Sequence, residues 1–318
     1  MSASARVRLD AAAAFVTGWP AATELVVIGA TREAADDFCR GVTAAPGATF
    51  GLHRFTLGQL ASRIATATLA AAGVTPSTAL AADALATRAL FELARDGRLD
   101  YLAPIADSPG LPRALADTVG ELREAGVGPE RLAALGAAGP DLGALAARYA
   151  ALLSDGGLAD RAALFHAATA RLRAGDAGGL GAGSILLLDV PIASRVEQAF
   201  VAALIDRALG AASIEGRPPA VLATVPAGDA RTLALLPPPL AAAVQPREDD
   251  GADALSRVRR QLFAADAPAG VEDDSIRFFS APGEAREAIE VARRILDCLL
   301  YTSPSPRDRT RSRMPSSA

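Results

Sequence analysis

Residues 184–209 read SILLLDVPIASRVEQAFVAALIDRAL. The run from Ile185 to Leu188 is apolar without interruption and is bounded by Ser184 and Asp189, the signature of a strand buried on both faces. A helical period follows from Ser194 to Leu209. Strand, short loop and helix make one α/β unit, and the same pattern stands earlier in the chain. Leu25-Val-Val-Ile28 is a second buried strand, Gly29-Ala-Thr31 a tight turn with an N-cap Thr, and Arg32 to Val42 a helix. Residues 49–55 form a further strand, which runs into Thr56-Leu-Gly-Gln59, a capping-box pattern. The helix after it places Leu57, Leu60, Ala61 and Ile64 on one face. Residues 220–225 and 276–279 complete the strands, and 284–296 is a last helix. Strands separated by helices predict a parallel sheet covered on both faces.

Between the second and third of these strands the pattern changes. Residues 80–175 are helical almost throughout, with Leu115, Val119 and Leu122 in period, and helices over 142–153 and 160–172. Gly126-Val-Gly-Pro129 and Asp155-Gly-Gly157 end two of these helices, and 175–183 is a glycine-rich linker. Residues 236–256, with Pro237-Pro-Pro239 and Glu248-Asp-Asp250, read as a loop. The expected organisation is a discontinuous α/β domain over 1–79 and 181–297, with an all-helical subdomain inserted at 80–180.

The chain has 318 residues, 51% of them hydrophobic, which excludes a disordered or collagen-like chain. Aromatics are only 4%, so Ala, Leu, Val and Ile must build the core. All 32 basic residues are Arg. Without lysine there is no Schiff-base chemistry and no P-loop of the usual kind, whose Lys holds the phosphates. His53, His166, Cys39 and Cys298 are scattered singly, which excludes the paired spacing of a zinc site and a disulfide framework. Cysteine use therefore points to a reducing, cytoplasmic compartment. Residues 1–19 have a faint leader shape that Asp10 interrupts, and 64–82 reads as a helix end and a turn, so no membrane span is expected.

Composition breaks at Cys298. Residues 298–318, CLLYTSPSPRDRTRSRMPSSA, are rich in Ser, Pro and Arg and have no apolar period. CLLYTSPSPRD and SRMPSSA resemble the two parts of a translated sequencing adapter in read-through order. The segment is expected to be disordered and is set apart from the fold, and the coding sequence is expected to be cut near Asp297. It carries four Arg and one Asp, so without it the chain loses its only basic cluster.

Candidate chemistry is sparse. Asp189 ends the most apolar strand, where ligands of open α/β sheets sit. It reads either as a carboxylate that holds Mg²⁺ beside a nucleotide or as a residue that opens the loop before the Ser194 helix. Gly29-Ala-Thr-Arg32 sits where a phosphate loop would, but is far too short for one, and an ordinary tight turn is the simpler reading. His53, near a strand end, and His166, mid-helix, read as surface or satisfied core residues. No Ser has the flanking glycines of a nucleophile elbow. Glu284 and Glu287, spaced i, i+3 at a helix start, suit the helix dipole without catalysis.

Taken in order, GATREAADDF, FGLHRFTLGQLASRI, LADRAALFHAATARL, SILLLDVPIASRVEQAFVAAL, VLATVPAGD and FFSAPGEAREAIEVARRIL resemble the N-terminal part of AddB-type (RexB-like) proteins of the PD-(D/E)XK nuclease family, over essentially all of 1–297. The resemblance implies a superfamily 1 helicase-like, RecA-like domain. It implies work on double-strand DNA ends beside an AddA-like helicase–nuclease partner, in contact with DNA and away from membranes. Gly29, Ala30, Thr31 and Arg32 occupy the place of the ATP loop, and Asp189 that of the metal-holding aspartate. Together they form a vestigial nucleotide-binding set. Val190 stands where a water-activating Glu belongs. Glu197-Gln198 keeps a trace of the stretch downstream of that Glu, and 225–229 resembles the third ATPase motif. Loss of the Lys and the Glu implies a scaffold that uses neither ATP nor Mg²⁺ and has no catalytic or metal-binding residue of its own. The alternative is a stand-alone nucleotide- or sugar-phosphate-binding α/β enzyme with a helical lid, which would need Asp189 and the Gly29 turn to face one pocket with convergent polar groups.

Overall fold

The computed structural model describes residues 1–44, 51–180, 183–211, 218, 220–247, 251–262, 266 and 268–302. It divides into two units, 1–249 and 250 onward. The first opens with α1 (Ala5–Thr17), followed by β1 (Leu25–Gly29), α2 (Arg32–Ala44), β2 (Leu52–Phe55), α3 (Leu57–Ala71) and the two-residue β3 (Thr75–Pro76). Then come α4 (Ala79–Arg95), a 3₁₀ turn at Ala103–Ile105, α5 (Leu111–Glu124), α6 (Pro129–Ala133), α7 (Gly139–Asp155), β4 (Leu158–Ala159) and α8 (Arg161–Arg173). The unit closes with β5 (Ser184–Leu188), α9 (Arg195–Leu209), β6 (Val221–Thr224), α10 (Ala230–Leu235) and α11 (Pro238–Ala241). The second unit contains α12 (Ala254–Gln261) and α13 (Glu284–Thr302).

The fold class is α/β. Four strands form a parallel sheet in the order β2-β1-β5-β6. The pleat sends alternate residues of the two central strands to opposite faces. Val26, Ile28, Ile185 and Leu187 meet Leu60 and Ile64 of α3, Phe165 and Leu172 of α8, and Phe200 and Ile205 of α9. Leu25, Val27, Leu186 and Leu188 meet Ala12 and Val16 of α1, Ala35 and Phe38 of α2, and Trp19. Both faces are covered, which is why both strands read as unbroken apolar runs.

The helices between β2 and β5 divide by the core they fill. Leu90 and Leu93 of α4, Leu115 and Val119 of α5, Leu132 of α6, and Leu145, Tyr149 and Leu152 of α7 bury one another in a core of their own. Buried Asp141 ties a loop to that core by accepting hydrogen bonds from the amides of Asp100 and Leu102. α8 lies in the same helical stretch of sequence, yet packs on α3 and α9 and fills the sheet's core. The neck of the insertion is the parallel pair β3–β4, held by Thr75 N to Gly157 O at 2.8 Å and Ser77 N to Ala159 O at 2.7 Å.

Several expectations are corrected. Residues 276–279 are not a strand: no neighbouring strand pairs with them among the described residues, and Phe278 is 80% exposed. Four apolar residues do not define a strand without a sheet edge to receive them. The stretch 236–256 is not a plain loop, because it holds α11 and the start of α12, capped by Asp253. Its residues 248–250, like 49–50 of the second strand and 181–182 of the linker, lie outside the described residues. The N-terminal stretch, for which the sequence predicts no element, holds helix α1, packed on β5 and β6. The composition break at Cys298 is not a structural break, since α13 continues to Thr302. The rest of the segment set apart, 303–318, lies outside the described residues.

Candidate functional site

β1, β5 and β6 end side by side, and the candidate site stands at those ends. Gly29 makes the turn possible: a Cβ there would lie 2.8 Å from the Thr31 carbonyl oxygen and 3.0 Å from the Ala35 Cβ. Its role is close packing of strand and helix. The Ala30 amide donates to the Leu188 carbonyl across the strand ends at 3.3 Å. The Thr31 hydroxyl caps α2 by accepting from the Ala34 amide at 3.1 Å. Arg32 reaches toward edge strand β2, donating to Asp36 at 3.1 Å and to the Arg54 carbonyl at 2.8 Å.

Asp189 has φ +49°, the one positive φ of a non-glycine among the described residues. Two neighbours hold it there. Arg8 of α1 donates Nε to both carboxylate oxygens, at 2.9 and 3.0 Å, while its Nη1 donates to the Ser2 carbonyl at 2.6 Å. Thr224, at the end of β6, donates its hydroxyl to Asp189 Oδ1 at 2.8 Å and accepts from the Asp189 amide at 3.0 Å. Ser2 is fixed in turn by a parallel bridge to Pro226, with Ser2 N to Val225 O at 3.2 Å and Ala227 N to Ser2 O at 3.0 Å. The Arg8 side chain is 9% exposed and that of Asp189 26%. Asp189 neither caps α9, a task done by Ser194 and Glu197, nor stands free for a ligand.

A groove of about 610 Å³ opens at the same strand ends between α1 and α2. Ala30 and Asp189 both face it, so the turn and the strand-end carboxylate do share one space. Val190 is turned away into the opposite core with Ile192. Three Asp side chains, at positions 10, 37 and 189, line the groove, and no Arg or His does. An apolar trough edged with carboxylates is a poor receptor for phosphate.

None of the remaining candidates lines the groove. Glu197 completes the capping box of α9, accepting from the Ala193 and Ser194 amides at 2.8 and 3.1 Å, and pairs with Arg161 at 2.5 Å. Asp229 caps α10 through the Thr232 amide, and the Thr232 hydroxyl and amide hold its carboxyl below the usual range. His53 lies on edge strand β2 with Nε2 3.9 Å from Glu24. His166 is exposed on α8 and, with Arg123, lines a separate pocket of about 350 Å³. Burial pushes the Cys39 thiol up to about 11, which leaves it unreactive at neutral pH. Glu284 and Glu287 are exposed in the first turn of α13. Among the described residues no group of three or more His, Cys, Asp or Glu is placed to hold a metal ion. No described helix is long and apolar enough to cross a membrane.

Arg8, Ser2 and Thr224 are the members that sequence reasoning missed. A signal for Arg8 was present: it shares an i, i+4, i+8 face with Ala12 and Val16, and a charge on a buried face needs a buried partner. No family model matches the chain, and no curated protein matches its sequence.

Proposed function

We propose that the chain is a helicase-shaped scaffold without ATPase activity, an N-terminal part of a subunit that processes double-strand DNA ends beside a helicase-type partner. The observation that carries the scaffold half of this reading is the Arg8–Asp189 pair. The carboxylate at the strand end where a nucleotide's metal would be held is neutralised from within the chain. A metal-bound nucleotide would have to displace a mostly buried guanidinium, and breaking such a pair costs several kcal/mol. The absence of lysine and the acidic lining of the groove act in the same direction. They also weigh against a stand-alone nucleotide- or sugar-phosphate-binding enzyme, whose pocket would need convergent donors for phosphate. The DNA-end half of the reading rests on the order of sequence segments and on the insertion of a helical block between β2 and β5. Net charge is −4, so DNA contact must be local, through a few Arg.

Calorimetric titration with Mg·ATP tests the first half. The expected result is no saturable binding below the millimolar range and no phosphate release. Micromolar binding that disappears in Asp189→Ala would overturn the scaffold reading. Fluorescence anisotropy tests the second half, with blunt-ended duplex DNA against the same duplex sealed by hairpins, in the presence of a superfamily 1 helicase subunit from the same source. Preference for the open end supports DNA-end processing, and equal affinity for both DNAs overturns it.

A further inference from the structure

The chain enters and leaves the helical core through two crossings that lie side by side. Residues 75–77 lead in and 157–159 lead out, paired as β3–β4. The border between the two cores falls within this neck. Leu158 packs on the helical core, while its neighbour Ala159 is buried in the sheet's core. Val74, just before β3, packs on the sheet's core, and Ala82, just after it on α4, on the helical one. Beyond the neck α5 approaches α8 and α9, yet the two apolar clusters stay separate. The seam is also incompletely filled. The pocket of about 350 Å³ lies in it, with Val119, Leu122, Leu132 and Ala146 on the helical side and Ala162 and His166 of α8 on the other. A narrow covalent joint and a small, loosely packed interface let one body move on the other.

Charge closes the seam where packing does not. The last two residues of α5, Arg123 and Glu124, face Asp160 and Arg161 at the start of α8, so the signs match in order. Arg123 donates Nε and Nη2 to the two carboxylate oxygens of Asp160, and Arg161 donates Nε to Glu124 at 3.3 Å. Both members on the sheet side are held from that side as well. Asp160 caps α8 through the Ala163 amide at 2.9 Å, and Arg161 donates to Glu197 of α9. The quartet stands directly after β4 and joins the bodies at a second point, which a two-stranded neck by itself does not provide. We infer that the helical core, residues 79–155, is a body hinged on the sheet at β3–β4, and that the quartet of Arg123, Glu124, Asp160 and Arg161 is the latch that holds it at the angle seen in the structure.

The inference goes beyond the scaffold reading and does not rest on it, since its test uses neither nucleotide nor DNA. The test is a pulsed electron paramagnetic resonance distance in the full chain. Spin labels are placed through Ala114→Cys on α5 and Asp206→Cys on α9, both exposed positions, in a Cys298→Ser background that leaves only the buried Cys39. Ala114 lies about 15 Å along α5 from Glu124, so a turn of about 20° at the quartet moves its label by about 5 Å. The latch is broken by the double variant Arg123→Ala, Glu124→Ala. It keeps the net charge, the Asp160 cap and the Arg161–Glu197 pair, and it puts the best helix former at both positions. The parent is expected to give one narrow distance, and the double variant a second component displaced by about 5 Å or more, with an unchanged circular dichroism spectrum. A control pair within the helical core, Ala114→Cys with Thr87→Cys, is expected to keep its distance in both backgrounds. An unchanged 114–206 distance in the double variant would overturn the inference, and two components already present in the parent would overturn the latch. A control distance that shifts along with the first would overturn the hinged body, because the helical core itself would then have loosened.

Discussion

At Asp189 the backbone adopts a conformation that an L-residue with a Cβ disfavours by about 1–2 kcal/mol, and Asp and Asn tolerate it best. The side chain then has to reach Arg8 and Thr224 from that turn, so conformation and ion pair depend on each other. Arg8→Ala leaves a largely buried carboxylate with only the Thr224 hydroxyl as donor. It is expected to lower unfolding stability by about 2–4 kcal/mol, read as a fall in the urea midpoint at unchanged slope. Asp189→Asn keeps the tolerated backbone and one acceptor, whereas Asp189→Val loses both, so the Val variant should be less stable by a further 1–2 kcal/mol or so. An Arg8→Ala protein as stable as the parent would remove the pair from the account. The place of Asp189 was legible in the sequence, because an unbroken apolar run ending in Asp marks the end of a buried strand. Its partner was not, because the two are 181 residues apart and Arg8 sits in a stretch that resembles a leader.

Among the elements, α8 adds to its apolar packing on α9 one cation that reaches both α9 and α5. Arg161 donates to Glu197 of α9 at 2.5 Å and to Glu124 of α5 at 3.3 Å, and lies 4.8 Å from the Phe165 ring centroid. Burial holds the Glu124 carboxyl above its ordinary value, against the pull of Arg161. Removing Arg161 takes away the charge that draws the Glu124 carboxyl down and leaves Glu197 beside it, so the Glu124 carboxyl rises further. A raised acid binds its proton more readily folded than unfolded, so the folded state gains as pH falls toward the ordinary carboxylate range. Arg161→Ala is therefore expected to cost about 2 kcal/mol at pH 7.5, discounted for the half-exposed guanidinium, and markedly less near pH 5, in paired urea titrations. A deficit independent of pH would mean that only packing on Phe165 was lost. The capping boxes at Thr56 and Ser194 are local, i to i+3, and the first was legible from sequence alone. Glu197 closes the second of these boxes and pairs with Arg161 as well. α1 and α11 escaped because their apolar pattern is Ala- and Pro-rich, and 276–279 was misread because strand identity needs a partner edge that sequence cannot supply.

Across the first unit, hydrophobic burial is divided between the sheet's cores and a helical core joined through the β3–β4 neck. The alternation of strand and helix made the sheet legible, and the long helical run made the helices between β2 and β5 legible. The edge of their core was not, because α8 continues the helical run while burying its face on α3 and α9. Only side-chain contact decides which core a helix serves. If the division is real, perturbations in the two cores should be felt separately. Ile64→Val removes one methyl group from the α3 face of the sheet core, and Leu145→Ala empties a site in the helical core, both fully buried positions. The costs expected are about 1 and about 3 kcal/mol, and the double variant should equal their sum within about 0.5 kcal/mol. The control lies inside one core: Phe165 and Phe200 meet edge to face with centroids 5.3 Å apart. Phe165→Leu and Phe200→Leu remove the same ring contact, so their double variant should depart from additivity by about 0.5–1.5 kcal/mol. Coupling between Ile64→Val and Leu145→Ala as large as that between the two Phe variants would mean that strain passes between the cores, through the neck or through the α5–α8 contact, and the helical core would then be an extension of the sheet's own.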